Sequence, residues 1–268
     1  MIFQNIPLLL LAAATILLVL LSIEAGYRLG VAIHHHLKSD KESPVSVISG
    51  AILGLLGFLL AFTFQILYNR FDERKQLVRD EAVAIRTAWL RSDFMQEPDH
   101  GKAVTLLKEY VDMRIAAVQS SDADKMQKAL KESDLIQQKL WNMAVANVRK
   151  DMNSDVAALY IGSLNEVFSI HSLRITRGLQ ARAPLGLWLG LYALLVFGML
   201  SIGYQTAVAG SRRTLASIIL SISFTIVTVL IISLDRPHSG FFKVSQQPLI
   251  NLQESMAGNS ESDTVEQP

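Results

Sequence analysis

Apolar residues fill four long stretches of the chain, and between the second and third they recur at helical spacing among charged ones. The second stretch organises the reading. Val45 to Leu67 is apolar for about 23 residues, or ~34 Å of helix, enough to cross a bilayer. It continues without a breaker into Tyr68-Asn69-Arg70-Phe71-Asp72-Glu73-Arg74-Lys75. The pattern predicts one helix from Pro44 to about Trp89, half in lipid and half in water. Gly50, Gly54, Gly57 and Ala61 fall on one face of the lipid half. Leu67, Phe71, Val78, Ala82, Ile85 and Trp89 form an apolar stripe along the aqueous half.

The first stretch, Ile6 to Ile23, has no Lys or Arg before it and no small-residue cleavage pattern after it. It reads as a retained span rather than a signal peptide. Glu24 and Arg28, one turn apart, are expected to close it as a polar rim, with a carboxylate at a pore mouth as the functional alternative. Gly30 to Ser43 reads as a polar loop. Its His34, His35 and His36 are adjacent, so their side chains diverge, and a solvated loop is the reading over a metal site.

Arg70 to Arg182 is the large polar segment, and it reads as helices throughout. Pro98-Asp99-His100-Gly101 is a breaker cluster. A second helix follows with Leu106, Leu107, Tyr110 and Arg114. Ser120-Ser121-Asp122 caps a third, carrying Met126, Leu130, Leu140 and Val148. Asn153-Ser154-Asp155 caps a fourth, with Val156, Leu159, Tyr160, Ser163, Val167, Phe168 and His171. Asp72, Glu73, Asp80 and Glu81 alternate with Arg70, Arg74, Lys75 and Arg79, the pattern of a solvated helix with pairs such as Arg70–Glu73 and Asp72–Lys75. His171 lies on the apolar stripe of its helix and reads as a core or network histidine.

The third span is expected from Pro184 to about Ala209, with Trp188 and Tyr192 near its entrance. Gly210-Ser211-Arg212-Arg213 is a tight turn. The fourth span, Thr214 to Leu234, carries a hydroxyl stripe at Thr214, Ser217, Ser221, Thr225 and Thr228. These hydroxyls bond their own preceding carbonyls or a neighbouring helix, or else they face water. Asp235-Arg236-Pro237-His238 stops the helix, and His238 at the membrane face is a titratable group. Beyond Lys243 the chain is expected to be loose.

The pattern therefore predicts an all-α membrane protein with four transmembrane helices and a cytosolic helical bundle of about four helices inserted between spans two and three. Its parts are a first helix pair (1–68), the bundle (69–183), a second helix pair (184–235) and a C-terminal tail (236–268). Arg70, Arg74, Lys75, Arg79, Arg86, Arg174, Arg177, Arg182, Arg236 and Lys243 outnumber Arg28, Lys38, Lys41, Arg212 and Arg213 on the opposite loops. That places both termini and the bundle in the cytoplasm.

Composition changes this picture little. Half of the 268 residues are apolar and the net charge is +1, which gives nucleic-acid binding no support. No cysteine is present, which excludes disulfides, thiolate catalysis and Cys-ligated metals. No GxSxG, P-loop, dinucleotide-binding or HExxH pattern occurs, so neither an enzyme nor a cofactor is expected.

One resemblance adds to this. Gly57-Phe58-Leu59-Leu60-Ala61-Phe62, Arg70 to Lys75, Asp80-Glu81-Ala82 through Ile85 to Leu90, Asn165-Glu166 with His171 and Arg174, and Leu234-Asp235-Arg236-Pro237 through Gly240 to Val244-Ser245 follow one another in order. Together they resemble the bestrophin-like domain-of-unknown-function family of bacterial membrane proteins, over about Gly50 to Pro248. Tyr68, Arg70, Phe71 and Glu73 are also similar to the aromatic-Arg-aromatic-x-Glu stretch of bestrophins, which have an Arg where Thr63 stands. No acidic calcium clasp is found here. The resemblance implies four spans, a cytosolic bundle and a pentamer around a central ion pathway in a bacterial inner membrane. Bestrophins conduct anions and some bacterial members pass cations, so the charge of the permeant ion does not carry over.

Two functions follow as expectations. The first is an oligomeric ion channel lined by the second helix, with Gly50, Gly54, Gly57 and Ala61 inward, Thr63 and Gln65 near the inner end, and Arg70, Glu73, Arg74, Asp235 and Arg236 at the cytosolic mouth. The other reading of Gly50, Gly54 and Gly57 is helix packing, since GxxxG spacing lets helix backbones approach closely in membrane lipid. The second is a non-conducting scaffold or sensor whose bundle binds a protein partner.

Overall fold

The computed structural model describes residues 7–34, 43–119, 123–150, 154–180, 183–210, 215–236 and 241–263. All regular structure among them is helical. The helices are α1 (Leu8–His34), α2 (Ser43–Ser92), α3 (Asp99–Gln119), α4 (Ala123–Lys150), α5 (Asp155–Leu173), α6 (Leu185–Val208), α7 (Leu215–Asp235) and α8 (Gln247–Asp263), with a π-helical segment Arg174–Gln180 directly after α5. Four are long and apolar enough to cross a bilayer, namely α1, α2, α6 and α7.

The chain divides into two units. The first is Met1–Phe71 with Arg182–Lys243, and the second is Asp72–Ala181 with Val244–Pro268. The unbroken α2 contributes to both.

In the first unit α1 packs most extensively against α6, and α7 packs against α1. Glycine makes the α1–α6 approach possible. A Cβ at Gly203 would fall on the carbonyl oxygen of Ile23, and one at Gly26 on that of Leu200. One at Gly30 would come within 2.7 Å of the Ala207 methyl. Close backbone approach of this kind is how helices associate where the surrounding lipid is as apolar as their side chains. Thr15 bonds both the Leu11 carbonyl and the Tyr192 hydroxyl across the same seam. α2 meets α6 differently, through side chains. Leu53 and Leu56 lie against Gly198, and the Ser49 and Ser201 hydroxyls bond each other.

The first expectation to be corrected is the end of α1. Glu24 and Arg28 pair at 2.7 Å within the helix rather than closing it. Helix continues through Gly30 to His34 where a polar loop was expected, because Gly30 is held against Tyr204 and Ala207. His35 and His36 lie outside the described residues, as do Lys38, Lys41, Ser120 to Asp122, Asn153, Arg182, Arg212, Arg213, Thr214, Pro237 and His238.

The second unit buries one core. Its contributors include Val78, Ile85 and Ala88 of α2, Leu107 and Val111 of α3, Leu140 of α4, Leu164 and Val167 of α5, and Leu249, Leu252 and Met256 of α8. The last three correct another expectation. From Gln247 to Asp263 the chain is not loose. It forms α8, whose i, i+3, i+7 apolar positions dock on the core, and the mostly polar residues around them hide that short stripe in the sequence. Ser154 caps α5, its Oγ accepting from the Ala157 amide at 3.2 Å. The buried face of α5 is Tyr160, Ser163, Leu164, Val167, Ile170 and His171, whereas Val156 and Leu159 are exposed.

Candidate functional site

Helical geometry sorts the predicted residues of α2 into two faces. Ser49, Leu56, Leu60, Thr63 and Leu67 are buried inside the protomer. Gly50, Gly54, Gly57, Ala61 and Gln65 line up on the other side and are exposed. A Cβ at Gly50, Gly54 or Gly57 would meet nothing within 4 Å. Thr63 therefore does not share the glycine edge. It lies half a turn away, and its hydroxyl bonds the Leu59 carbonyl at 2.8 Å. Gln65 bonds Asn69 at 2.8 Å along the open side. The open edge is rimmed by large apolar side chains, Leu55, Phe58 and Phe62 among them, with the two phenyl rings 4.5 Å apart.

The hydroxyl stripe of α7 is turned inward where it is described. Ser221, Thr225 and Thr228 are buried, and Thr225 and Thr228 bond the carbonyls of Ser221 and Phe224 one turn back. Asp235 Oδ1 accepts from the Ala183 amide at 3.1 Å, tying the end of α7 to the entry of α6, and Arg236 is buried. Of the charges placed at the mouth, Glu73 is exposed and Arg74 is buried. Arg70 has one enclosed guanidinium nitrogen with no hydrogen-bond partner. Asp72 and Lys75 pair at 3.4 Å on the surface as expected. An Arg70–Glu73 pair is not formed.

The solvated-helix reading of Glu81 is corrected. Glu81 is 0 % exposed and sits at the centre of a polar network in the second unit. Its Oε1 accepts from Arg114 Nε at 2.8 Å and from the Tyr110 hydroxyl at 3.3 Å, and its Oε2 accepts from Arg174 Nη1. Arg174, the first residue of the π-helical segment, also donates to Gln246 at 3.0 Å, and Gln246 donates to the Val244 carbonyl. The Tyr110 hydroxyl accepts from Gln137 at 3.1 Å and lies 3.0 Å from His171 Nδ1. His171 Nε2 lies 3.1 Å from Asp134 Oδ1.

Neutral His171 satisfies both neighbours in one tautomer. Nε2–H donates to Asp134, and Nδ1 stands beside Glu81 Oε1 as a second acceptor for the single Tyr110 hydroxyl proton. The chain thus gathers α2, α3, α4, α5, the π-helical segment and the irregular stretch before α8 around one carboxylate. Two guanidiniums share it, and the pair would be costly to bury without it.

Burial sets the proton affinities here. Desolvation, with the Arg114 charge adding to it, pulls His171 down to about 4 against the pull of Asp134. Desolvation pushes Tyr110 up to about 12 and lowers Arg174 to about 10. At neutral pH the tyrosine and histidine are uncharged and both arginines are cationic. The sign of the stability change follows. His171 is harder to protonate folded than unfolded, where its value is about 6.5. The unfolded chain therefore takes up a proton first as pH falls, and stability drops between about pH 6.5 and 4. Melting of the purified protein across that range is expected to show the drop, and His171→Gln is expected to flatten it.

The network was partly legible. His171 was placed in a core or network, and it lies 3 % exposed in one. Arg114 was marked only as a helix-face residue, and nothing in spacing alone distinguishes Glu81 from Asp80 beside it. Among the described residues no three His, Asp or Glu side chains converge as a metal site.

The family model described as Bestrophin-like, a bestrophin-like domain, matches residues 8–249. No curated protein shows a significant sequence match to the chain. Solved structures do match in fold. A mutant of a bacterial bestrophin homologue from Klebsiella pneumoniae superposes with a TM-score of 0.65 at 15 % identity, covering 91 % of this chain and 98 % of that one. A second mutant from the same organism gives 0.63 at 17 % identity, with 91 % and 95 % covered. A crystallised membrane protein variant gives 0.63 at 17 %, with 96 % and 97 % covered. At these identities the likeness is one of fold.

Proposed function

The chain belongs to the bestrophin-like family, and from that premise we propose that it forms a homo-oligomeric ion channel in the bacterial inner membrane. The second unit and both termini lie in the cytoplasm, the side favoured by the larger set of Lys and Arg. Subunits ring a central axis, five of them by the family resemblance, and α2 lines the pathway. One observation carries this reading. The edge Gly50, Gly54, Gly57, Ala61 is left unpartnered by its own chain, while the opposite side of the same helix is packed. An edge of small residues lets sister helices or the axis come close, and rings of apolar side chains beside it form a constriction that gates by dewetting. Each ring repeats one residue per subunit, so weak groups such as Gln65 act together.

Anions are the permeant species in this reading, supported by Arg70. One of its guanidinium nitrogens is enclosed without a hydrogen-bond partner, which places a positive charge at the end of the apolar stretch. The purified protein in planar bilayers is expected to give single-channel currents whose reversal potential follows the chloride gradient. Arg70→Glu is expected to shift that potential toward cation permeation. Gly54→Val is expected to abolish or sharply reduce current without lowering the melting temperature of the protomer. Silence across ions and pH, together with cross-linking that stops at monomer or dimer, would instead favour a non-conducting scaffold or sensor.

A further inference from the structure

The chain passes between its two units at three places: within α2, between Ala181 and Arg182, and between Lys243 and Val244. Glu81 belongs to the first of these connections, Arg174 to the second and Gln246 to the third. One guanidinium joins all three. Arg174 Nη1 donates to Glu81 Oε2, and its Nη2 donates to Gln246 Oε1 at 3.0 Å.

Two of the connections have little else to hold them. Among the described residues of the π-helical segment Arg174 alone is buried, and none of residues 241–246 is. Segments with few buried contacts open locally at a lower cost than a core does. The Gln246 carbonyl in turn accepts from the Leu249 and Ile250 amides at 3.0 and 3.1 Å, so the first turn of α8 hangs on the same residue.

His171 stands one turn before Arg174, whose amide bonds the His171 carbonyl. Around its ring are Tyr110 and Arg114 of α3, Asp134 of α4 and, across the Tyr110 hydroxyl, Glu81 of α2. The Asp134 side chain is 64 % exposed, so a proton can reach the ring from water. Its arrival changes two things. Nδ1 ceases to accept, which leaves the Tyr110 proton to Glu81 alone, and a third cation joins Arg114 and Arg174 around the Glu81 carboxylate.

We propose that this network is an acid-sensitive latch on the connections: protonation of His171 loosens Arg174, and the π-helical segment and the stretch before α8 let go together while the core of α2 to α5 stays folded. The magnitude follows from linkage. His171 titrates at about 4 when enclosed and near its ordinary 6.5 when freed, so the opening constant rises about tenfold between about pH 7.5 and 5.5. The latch does not depend on the protein being a channel.

The test is hydrogen exchange, read by mass spectrometry on the full-length protein in detergent at pH about 7.5 and 5.5 and corrected for the intrinsic exchange rate. In wild type, peptides covering residues 174–178 and Leu249–Ile250 are expected to be less protected than those of α3 at both pH values. Their protection is expected to fall about tenfold on acidification. His171→Gln is expected to abolish the fall in both segments. Arg174→Gln is expected to leave both segments weakly protected at either pH, with α3 still exchanging more slowly. The proposal is overturned if acid changes neither segment in wild type, or if His171→Gln shows the same fall. It is also overturned if the two segments are as protected as α3, so that they open only with the whole unit, or if Arg174→Gln leaves them protected as in wild type.

Discussion

Replacing Glu81 with alanine is expected to destabilise the second unit by about 3–5 kcal/mol, the cost of leaving a buried charge without its partner. The direction follows from where its partners are. Arg114 and Arg174 are 3 % and 9 % exposed, and Glu81 is the carboxylate both of them bond. Alanine leaves two guanidiniums in a dry core and releases the Tyr110 hydroxyl as well. Melting and limited proteolysis of the purified protein would read the loss, with cleavage expected first in α3 to α5. Glu73→Ala, on the exposed side of the same helix, is expected to change stability by no more than about 0.5 kcal/mol. A combined Glu81→Leu, Arg114→Met, Arg174→Met variant is expected to recover most of the loss, because apolar replacement of a whole buried ionic set is often neutral. A cost below about 1 kcal/mol for Glu81→Ala would mean that water reaches the network.

Gly203→Val and Gly26→Val are expected to damage the first unit to a comparable degree. The added carbon falls on a main-chain carbonyl oxygen of the partner helix, Ile23 for one and Leu200 for the other. A backbone atom in a packed helix cannot turn aside as a side-chain tip can, so α1 and α6 must separate. Overpacking ordinarily costs about 1–3 kcal/mol, and here the whole seam with the Thr15–Tyr192 bond loses contact, which puts the cost at or above the top of that range. Melting in detergent should fall for both variants. Gly50→Val and Gly57→Val are the controls, since their new carbons meet nothing in the chain. Equal losses at all four glycines would refute the assignment of packing to the α1–α6 seam.

These two cases also show where a linear reading succeeds. The glycines of α2 attract attention because they stand in a row of four, three and four. Those of α1 and α6 do the close packing, yet Gly26, Gly30 and Gly203 are spread over two distant segments. Their match is visible only once the helices are side by side. Glu81 is a similar case. It follows Asp80 in a charged run, and only its position one turn from Leu77, Val78 and Ile85 turns it toward the core. α8 was missed because its three buried residues sit in a polar sequence, and the docking surface that makes them a stripe is built from α3 and the rest of the core.

Sequence alone determined α1 to α7 and the four apolar runs long enough to span a bilayer. A helix satisfies its own backbone within a few residues, and a bilayer demands a long apolar run, so both leave local marks in composition and period. The tertiary structure decided which small residues pack, which acid is buried and where the tail docks. Those depend on pairings between segments far apart in the chain, and neither member of such a pair records the identity of the other.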